Sequence, residues 1–471
     1  MLTLIKEYKE YILSQSSNNP NITFKEEENK IELETEYGLG AVTIYEGCII
    51  ELSVTNKINQ NTEFYLHFKF NTLEHAKELF NEMLEALSKL VVKPVTKVLF
   101  SCTSGLTTGF FAEKLNEAIQ LLDLNYTVNA VAYNDLFDEG RKYDVIYLAP
   151  QVSYMEEKLK DVLDNENIHV IPAQIFAKYD TKAMIELLEE NACVSNKKEE
   201  VEIESRREVK PHKGKILTIN IIRNSFRVHM IYNVYNNENH HEETRDIIKP
   251  TLALTDIYDL IDTILYKYDD IECIGFTLPG IINQNGFISS VFINGLNNQS
   301  LEELFDSKYQ SIKFVYINDV NAAAVGYYAC NENYETVSYI FQPVYFRGGA
   351  GSVINGKVLK GAHNIAGEIK FAPINLSKEY SECHKTPEAT LERVAKLIVI
   401  LCSTIDPEAI GITCDLITSV DELRKEISKY MPSEYIPVLT LEDHMHLYCE
   451  FGGLILCTNA LEEMNHEGNN S

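Results

Sequence analysis

The most chemically loaded stretch of the chain is "CTSGLTTG", residues 102–109. An apolar run, "KVLFS", precedes it, and "FFAEKLNEAI" follows with helical spacing. Cys102 therefore ends a buried strand, and the next helix is predicted to begin near Thr107 or Thr108. In such a turn the backbone N–H groups of Thr103, Ser104, Gly105, Leu106, Thr107, Thr108 and Gly109 lack intrahelical partners. They converge at the positive end of the helix dipole. Gly105 permits the positive φ that curls a nest of this kind. A field that binds phosphate also favours thiolate over thiol, so the pKa of Cys102 is expected to be depressed. A thiolate inside an anion cradle can attack phosphorus while the nest holds the oxygens. The chemistry is then phosphoryl transfer through a phosphocysteine. The competing reading is a buried structural cysteine beside a helix-capping threonine.

Two other phosphate loops are excluded. A nucleotide-binding loop needs GxxxxGK[ST], and no lysine follows Gly105 or Gly109. Small cysteine phosphatases carry an arginine six residues after the cysteine, where this chain has Thr108. Without that planar fork the charge of hydrolysis lacks its main partner, which suits a carrier that keeps its phosphoryl group.

Residues 97–190 resemble the enzyme IIB component of the lactose/cellobiose type of the bacterial phosphotransferase system. "CTSGLTTG" sits on that family's phosphocysteine loop, and "DVIYLAPQVSYM" (residues 144–155) on its downstream strand and turn. The resemblance implies a four-stranded parallel sheet, with Pro150 and Gln151 beside the loop at the sheet's C-terminal edge. It also implies that Cys102 accepts a phosphoryl group from the phosphohistidine of a IIA partner. A separate membrane IIC permease is a further partner, because this chain has no such segment.

A second set of residues lies in "GFTLPG" (275–280), "INDVNAAAVGYY" (317–328) and "GGAGSVINGKVLKGAHNIAGEIKFAP" (348–373). Asp319 follows a strand and precedes an alanine-rich helix, the place of an N-cap. These stretches resemble the ROK family of sugar kinases and repressors, in the actin-like ATPase superfamily, over residues 214–465. The resemblance implies that Asp319 is the base acting on a sugar hydroxyl, with Asn318 and Glu368 hydrogen-bonding the sugar. It implies a homodimer as well. The phosphate machinery departs from the family. Its Asp-Gly-Gly-Thr loop reads Asn220-Ile221-Ile222-Arg223-Asn224, and isoleucine blocks the close approach glycine allows. Tyr345-Phe346-Arg347 precede Gly348-Gly349, and Thr413-Cys414-Asp415 replace the late glycine pair. Lys370 stands for the zinc-site histidine, and the cysteine cluster is reduced to Cys383-His384, too few ligands for a tetrahedral site. The expectation is a ROK-like fold without ATP or zinc, needing no metal or cofactor. It would bind a sugar or merely hold partners together. A second reading has Cys102 inert as well and the whole chain a non-catalytic sugar-sensing or scaffold protein, and a third is an ATP-dependent sugar kinase using Asp319.

These residues need elements to hold them. At 471 residues the chain is long enough for two to four domains, and 45% hydrophobic residues supply the cores. Residues 1–93 read as a small α+β module: an amphipathic helix, alternating strands such as "KIELETEY" and "TEFYLHFKF", then a closing helix. Residues 96–192 alternate strand and helix, with a helix-poor stretch after "YTVNAVAY", as in a parallel α/β domain. Residues 195–213 are a charged linker. Residues 214–471 are α/β again and large enough for two lobes. The fold class is thus multidomain α/β. A net charge of −28 repels phosphate backbones, so nucleic acid is excluded as a partner. The strand character of residues 1–93 also argues against the DNA-binding helices of ROK repressors. No run approaches 18 apolar residues, and the ten cysteines are scattered without a CxxC pair. A reduced cytoplasmic protein without membrane insertion is expected.

Overall fold

The computed structural model describes residues 2–468 except 59, 92–95, 123, 157–158, 161–166, 192–206, 208, 224–227, 291–292, 344–347, 379–385, 415 and 443. Most of the expected linker, together with Asn224, Tyr345-Phe346-Arg347, Cys383-His384 and Asp415, lies outside the described residues. Residues 1–199 make up most of one compact unit, and residues 200–258 with 264–471 the other.

The first unit opens with helix α1 (Leu2–Ser14) and five strands: β1 (Thr23–Glu26), β2 (Lys30–Glu34), β3 (Gly38–Ile44), β4 (Ile49–Asn56) and β5 (Thr62–Lys69). They pair in sequence order, all antiparallel. Burial alternates along β2 and β4, as a half-buried sheet requires. Helix α2 (Leu73–Ser88) is capped by Thr72, whose hydroxyl accepts the His75 N–H. It buries Ala76, Leu79, Phe80, Met83, Leu84 and Leu87, one stripe at helical spacing. Gly38 and Gly40 of β3 let that stripe close onto the sheet, for a Cβ at either would lie 2.8 Å from Leu90 or Met83.

The rest of the unit alternates strand and helix: β6 (Thr96–Cys102), α3 (Leu106–Leu121), β7 (Tyr126–Ala132), α4 (Tyr133–Glu139), β8 (Val145–Leu148), β9 (Ile168–Val170), α5 (Ala173–Lys178) and α6 (Thr181–Asn191). The stretch expected to be poor in helix thus contains α4. The sheet order is β7-β6-β8-β9, parallel throughout. β6 is buried from Val98 to Cys102, as a strand covered on both faces must be. Phe100, Phe111, Leu115, Tyr147 and Leu188 fill the core.

In the second unit β10 (Lys215–Arg223), β11 (Val228–Tyr235) and β12 (His241–Lys249) form an antiparallel meander. Next come β13 (Leu252–Ala253), α7 (Leu254–Lys267), β14 (Ile271–Leu278), β15 (Ile281–Ile282), β16 (Ile288–Ser289), β17 (Ile293–Asn294) and β18 (Lys313–Asn318). β14 and β18 extend the sheet in parallel with β10, giving the order β12-β11-β10-β14-β18. Helix α8 (Asp319–Cys330) leads into a second sheet. Its strands are β19 (Thr336–Phe341), β20 (Gly349–Ile354), β21 (Lys357–Val358), β22 (Ala409–Thr413) and β23 (Val438–Leu441). Helices α9 (Pro387–Thr404), α10 (Val420–Ile427) and α11 (Met445–Gly468) complete the chain. The second order, β21-β20-β19-β22-β23, repeats the first: an antiparallel meander, then two parallel strands beside its first strand. Two lobes of one topology account for the length of this unit. Helices α8 and α11 lie backbone against backbone, for a Cβ on Gly452 would sit 1.9 Å from Ala322 O.

Candidate functional site

Cys102 closes β6, with β7 and β8 as its neighbours on either side. The chain turns at Gly105, whose φ of 74° is in the left-handed region. Ala132, at the level of Cys102 on β7, is the second reason for glycine there. A Cβ at position 105 would lie 2.8 Å from the Ala132 nitrogen. Sequence reasoning did not single out Ala132, although pairing "YTVNAVA" with β6 would have placed it at the loop. Helix α3 begins at Leu106, one or two residues earlier than expected.

The thiol is buried, 1% exposed. Burial alone pushes its pKa up, but the Thr108 hydroxyl and the N–H groups of Thr108, Ser104 and Gly105 outweigh that and hold it below the usual cysteine value. The Thr108 oxygen lies 3.2 Å from Cys102 Sγ. Thr108 is itself wholly buried, whereas Thr103 and Ser104 are exposed and Leu106 projects, 82% exposed. Thr107 and Gly109 are half-buried. The Gly109 N–H does not join the nest, because it donates to Gly105 O at 2.9 Å and closes the first helical turn. On the neighbouring strand the Ala149 N–H donates to Ser101 O at 2.8 Å, and the short helix Pro150–Met155 starts there. This puts Pro150 and Gln151 at the C-terminal edge beside β6. Leu106 and Phe110 at the start of α3, and Tyr154 in the short helix after β8, are large apolar side chains left exposed, which the sequence alone did not single out.

The second constellation lies at the start of α8. The expected N-cap is one residue off: Asn318, not Asp319, has the extended backbone of a cap, and its oxygen accepts the Val320 and Asn321 N–H groups. Its amide nitrogen donates to Gly280 O at 2.7 Å, tying "GFTLPG" to the helix. Asn318 thus has both ends of its amide engaged within the fold. Asp319 keeps part of its surface open. Burial of its carboxyl raises the pKa to about 7; the Val320 N–H opposes this, Glu368 adds to it and Lys370 offsets it. Glu368 is ion-paired with Lys370 at 2.8 Å. Asp319, Glu368 and Lys370 therefore form one electrostatic group.

Asn220 is buried in β10, and among the described residues neither end of its amide has a hydrogen-bond partner. The Thr413 hydroxyl donates to Glu442 O at 2.7 Å and meets the Tyr339 hydroxyl, so internal bonds occupy it. Among the described residues no cluster of three or more His, Cys, Asp or Glu could hold a metal ion. No helix among them is long and apolar enough to cross a membrane.

Comparison with known proteins assigns two segments. Residues 97–190 match the family described as the PTS system, lactose/cellobiose specific IIB subunit. Residues 230–387 match the ROK family, a shorter span than the 214–465 of the sequence resemblance. The chain is 30% identical over 74 residues to the PTS system oligo-beta-mannoside-specific EIIB component of Bacillus subtilis (strain 168), covering 16% of this chain and 72% of that protein. Among solved structures, the lactose-specific IIB component domain of the phosphotransferase system from Streptococcus pneumoniae is 28% identical, covering 20% of this chain and 95% of that one, with a TM-score of 0.19. A ROK family protein from Streptococcus pneumoniae TIGR4 in complex with sucrose is 17% identical, covering 54% and 99%, with a TM-score of 0.42.

Proposed function

Since the chain belongs to the lactose/cellobiose-specific IIB family of the phosphotransferase system, with a ROK-family domain joined to it, we propose that Cys102 is its phosphoryl acceptor. A IIB domain is a sugar phosphotransferase component and implies IIA and IIC partners in general. The observation that carries the residue assignment is the nest: a buried thiol facing three backbone N–H groups and one hydroxyl. The thiolate attacks the phosphorus of a IIA phosphohistidine. The S–P bond forms, the P–N bond breaks, and the imidazole nitrogen leaves with the electron pair and takes up a proton. The N–H groups hold the three phosphoryl oxygens during and after transfer. Exposed Leu106 and Phe110, on the first turns of the helix that follows the loop, give the donor apolar side chains to pack on. Residues 96–192 are then the carrier, with the ROK-like region from 214 onward as a sugar-binding or docking unit.

That ROK-like region works in this reading without ATP. Asn220 offers an amide where the family presents an aspartate, and Ile221 and Ile222 stand where the family's glycines let a phosphate approach. Asp319 remains available to a sugar hydroxyl and Asn318 fixes its helix. The test is transfer from a phosphorylated lactose/cellobiose-type IIA protein. One phosphoryl group on the wild type and none on Cys102→Ser supports the reading, whereas transfer to the variant overturns the assignment of Cys102.

A further inference from the structure

Thr108 is placed to do more than line the loop. Its side chain is wholly buried at the start of α3, and its oxygen is 3.2 Å from both Cys102 Sγ and Gly105 O. A threonine hydroxyl has one proton to give and lone pairs to receive with, so it cannot donate to both neighbours at once. While Cys102 is a thiol, the S–H donates to Thr108 Oγ1 and the hydroxyl donates to Gly105 O. Every group is then satisfied. Once the thiol loses its proton to water, Sγ becomes an anion with nothing left to donate. Gly105 O can release the hydroxyl at little cost, because it already accepts the Gly109 N–H at 2.9 Å. A hydrogen bond to an anion is also stronger than one to a neutral carbonyl.

We propose that the Thr108 hydroxyl is a two-position donor, which turns from Gly105 O to Cys102 Sγ as the thiol ionises. Thr108 is thus a positioning residue: it holds the nucleophile charged and aimed, and acts on transfer only through the sulfur. The use of this thiolate in transfer rests on the reading of Cys102 as phosphoryl acceptor. The turning of the hydroxyl does not, since it concerns the ionisation of the thiol alone. The N–H groups of Ser104, Gly105 and Thr108 are fixed by the backbone, so the hydroxyl is the part of the nest that one side-chain change removes.

The test is the pH profile of Cys102 alkylation by iodoacetamide in the full-length protein, read from the mass of its peptide. In Thr108→Val, which keeps the shape and loses the hydroxyl, the profile shifts to higher pH. The rate then falls about tenfold at pH values below both pKa values, the effect of one pKa unit. Thr108→Ser restores the wild-type profile. If the valine protein does not fold, Thr108→Ala carries the same expectation, because it introduces no new atoms. Superimposable profiles for wild type and Thr108→Val overturn the proposal. So does a serine variant that behaves like valine, and so does a wild-type profile with the pKa of a free cysteine. No phosphodonor takes part, so a shifted profile in a protein that accepts no phosphate would leave this proposal standing and sink the carrier reading alone.

Discussion

Cys102 and Asp319 are shifted in opposite directions although burial acts alike on both, and the difference lies in how many donors face each group. Desolvation disfavours the charged form of both. At Cys102 a hydroxyl and three N–H groups reverse the effect. At Asp319 the Val320 N–H is outweighed and the nearby Glu368 carboxylate works the other way, so the carboxyl stays protonated up to about pH 7. Between its ordinary pKa of 3.8 and about 7 the unfolded chain has lost this proton while the folded chain keeps it. Asp319 therefore costs stability as pH rises through that window, and the cost is complete above it. Asp319→Asn is expected to flatten the fall in Tm between pH 4 and pH 7. A melting profile as steep as that of the wild type would contradict this. Residue types and spacing alone pointed to the thiol, because few roles need a cysteine between a strand and a small-residue loop. They did not separate Asn318 from Asp319 as the cap, since either side chain can cap and only the backbone angles decide. The Lys370–Glu368 ion pair was equally hidden, for nothing in "GEIKFAP" says that the lysine folds back onto the glutamate.

The loop between β6 and α3 works because its backbone is forced into one shape, and Gly105 is where that force is felt. An alanine there must hold a left-handed φ, at about 1–2 kcal/mol, and press its Cβ on the Ala132 nitrogen. Gly105→Ala is expected to lower stability by at least that amount in urea titrations and to reduce phosphoryl transfer by opening the nest. A variant with full stability and full transfer would show that the turn does not depend on glycine. The parallel sheet that carries this loop was legible, since its strands are short apolar runs spaced by helices. Strand β12 was not. "HEETRDIIK" reads as a charge run, and mostly its last residues turn to the core. The strand exists because β11 offers a full ladder of partners from Val228 to Tyr235, a tertiary cause invisible in local pattern. Helix α4 was missed for a similar reason, being a seven-residue segment too short to show a period.

At the scale of the molecule, a IIB domain and a two-lobed ROK-family unit share one strongly acidic chain. The repeated strand order of the two lobes was not read from sequence, because it depends on which strands pair rather than on where they lie. The alterations at Asn220, Ile221 and Ile222 predict that calorimetry with magnesium–ATP gives no heat of binding. A clear isotherm would favour the kinase reading instead. The carrier itself is tested most directly by intact mass. The full-length protein and Cys102→Ser are each incubated with phosphoenolpyruvate, the two general phosphotransferase proteins and a series of lactose/cellobiose-type IIA proteins. One IIA protein is expected to add the mass of a single phosphoryl group to the wild type and nothing to the variant. An unchanged wild-type mass with every IIA protein, or an equal gain in Cys102→Ser, would contradict it.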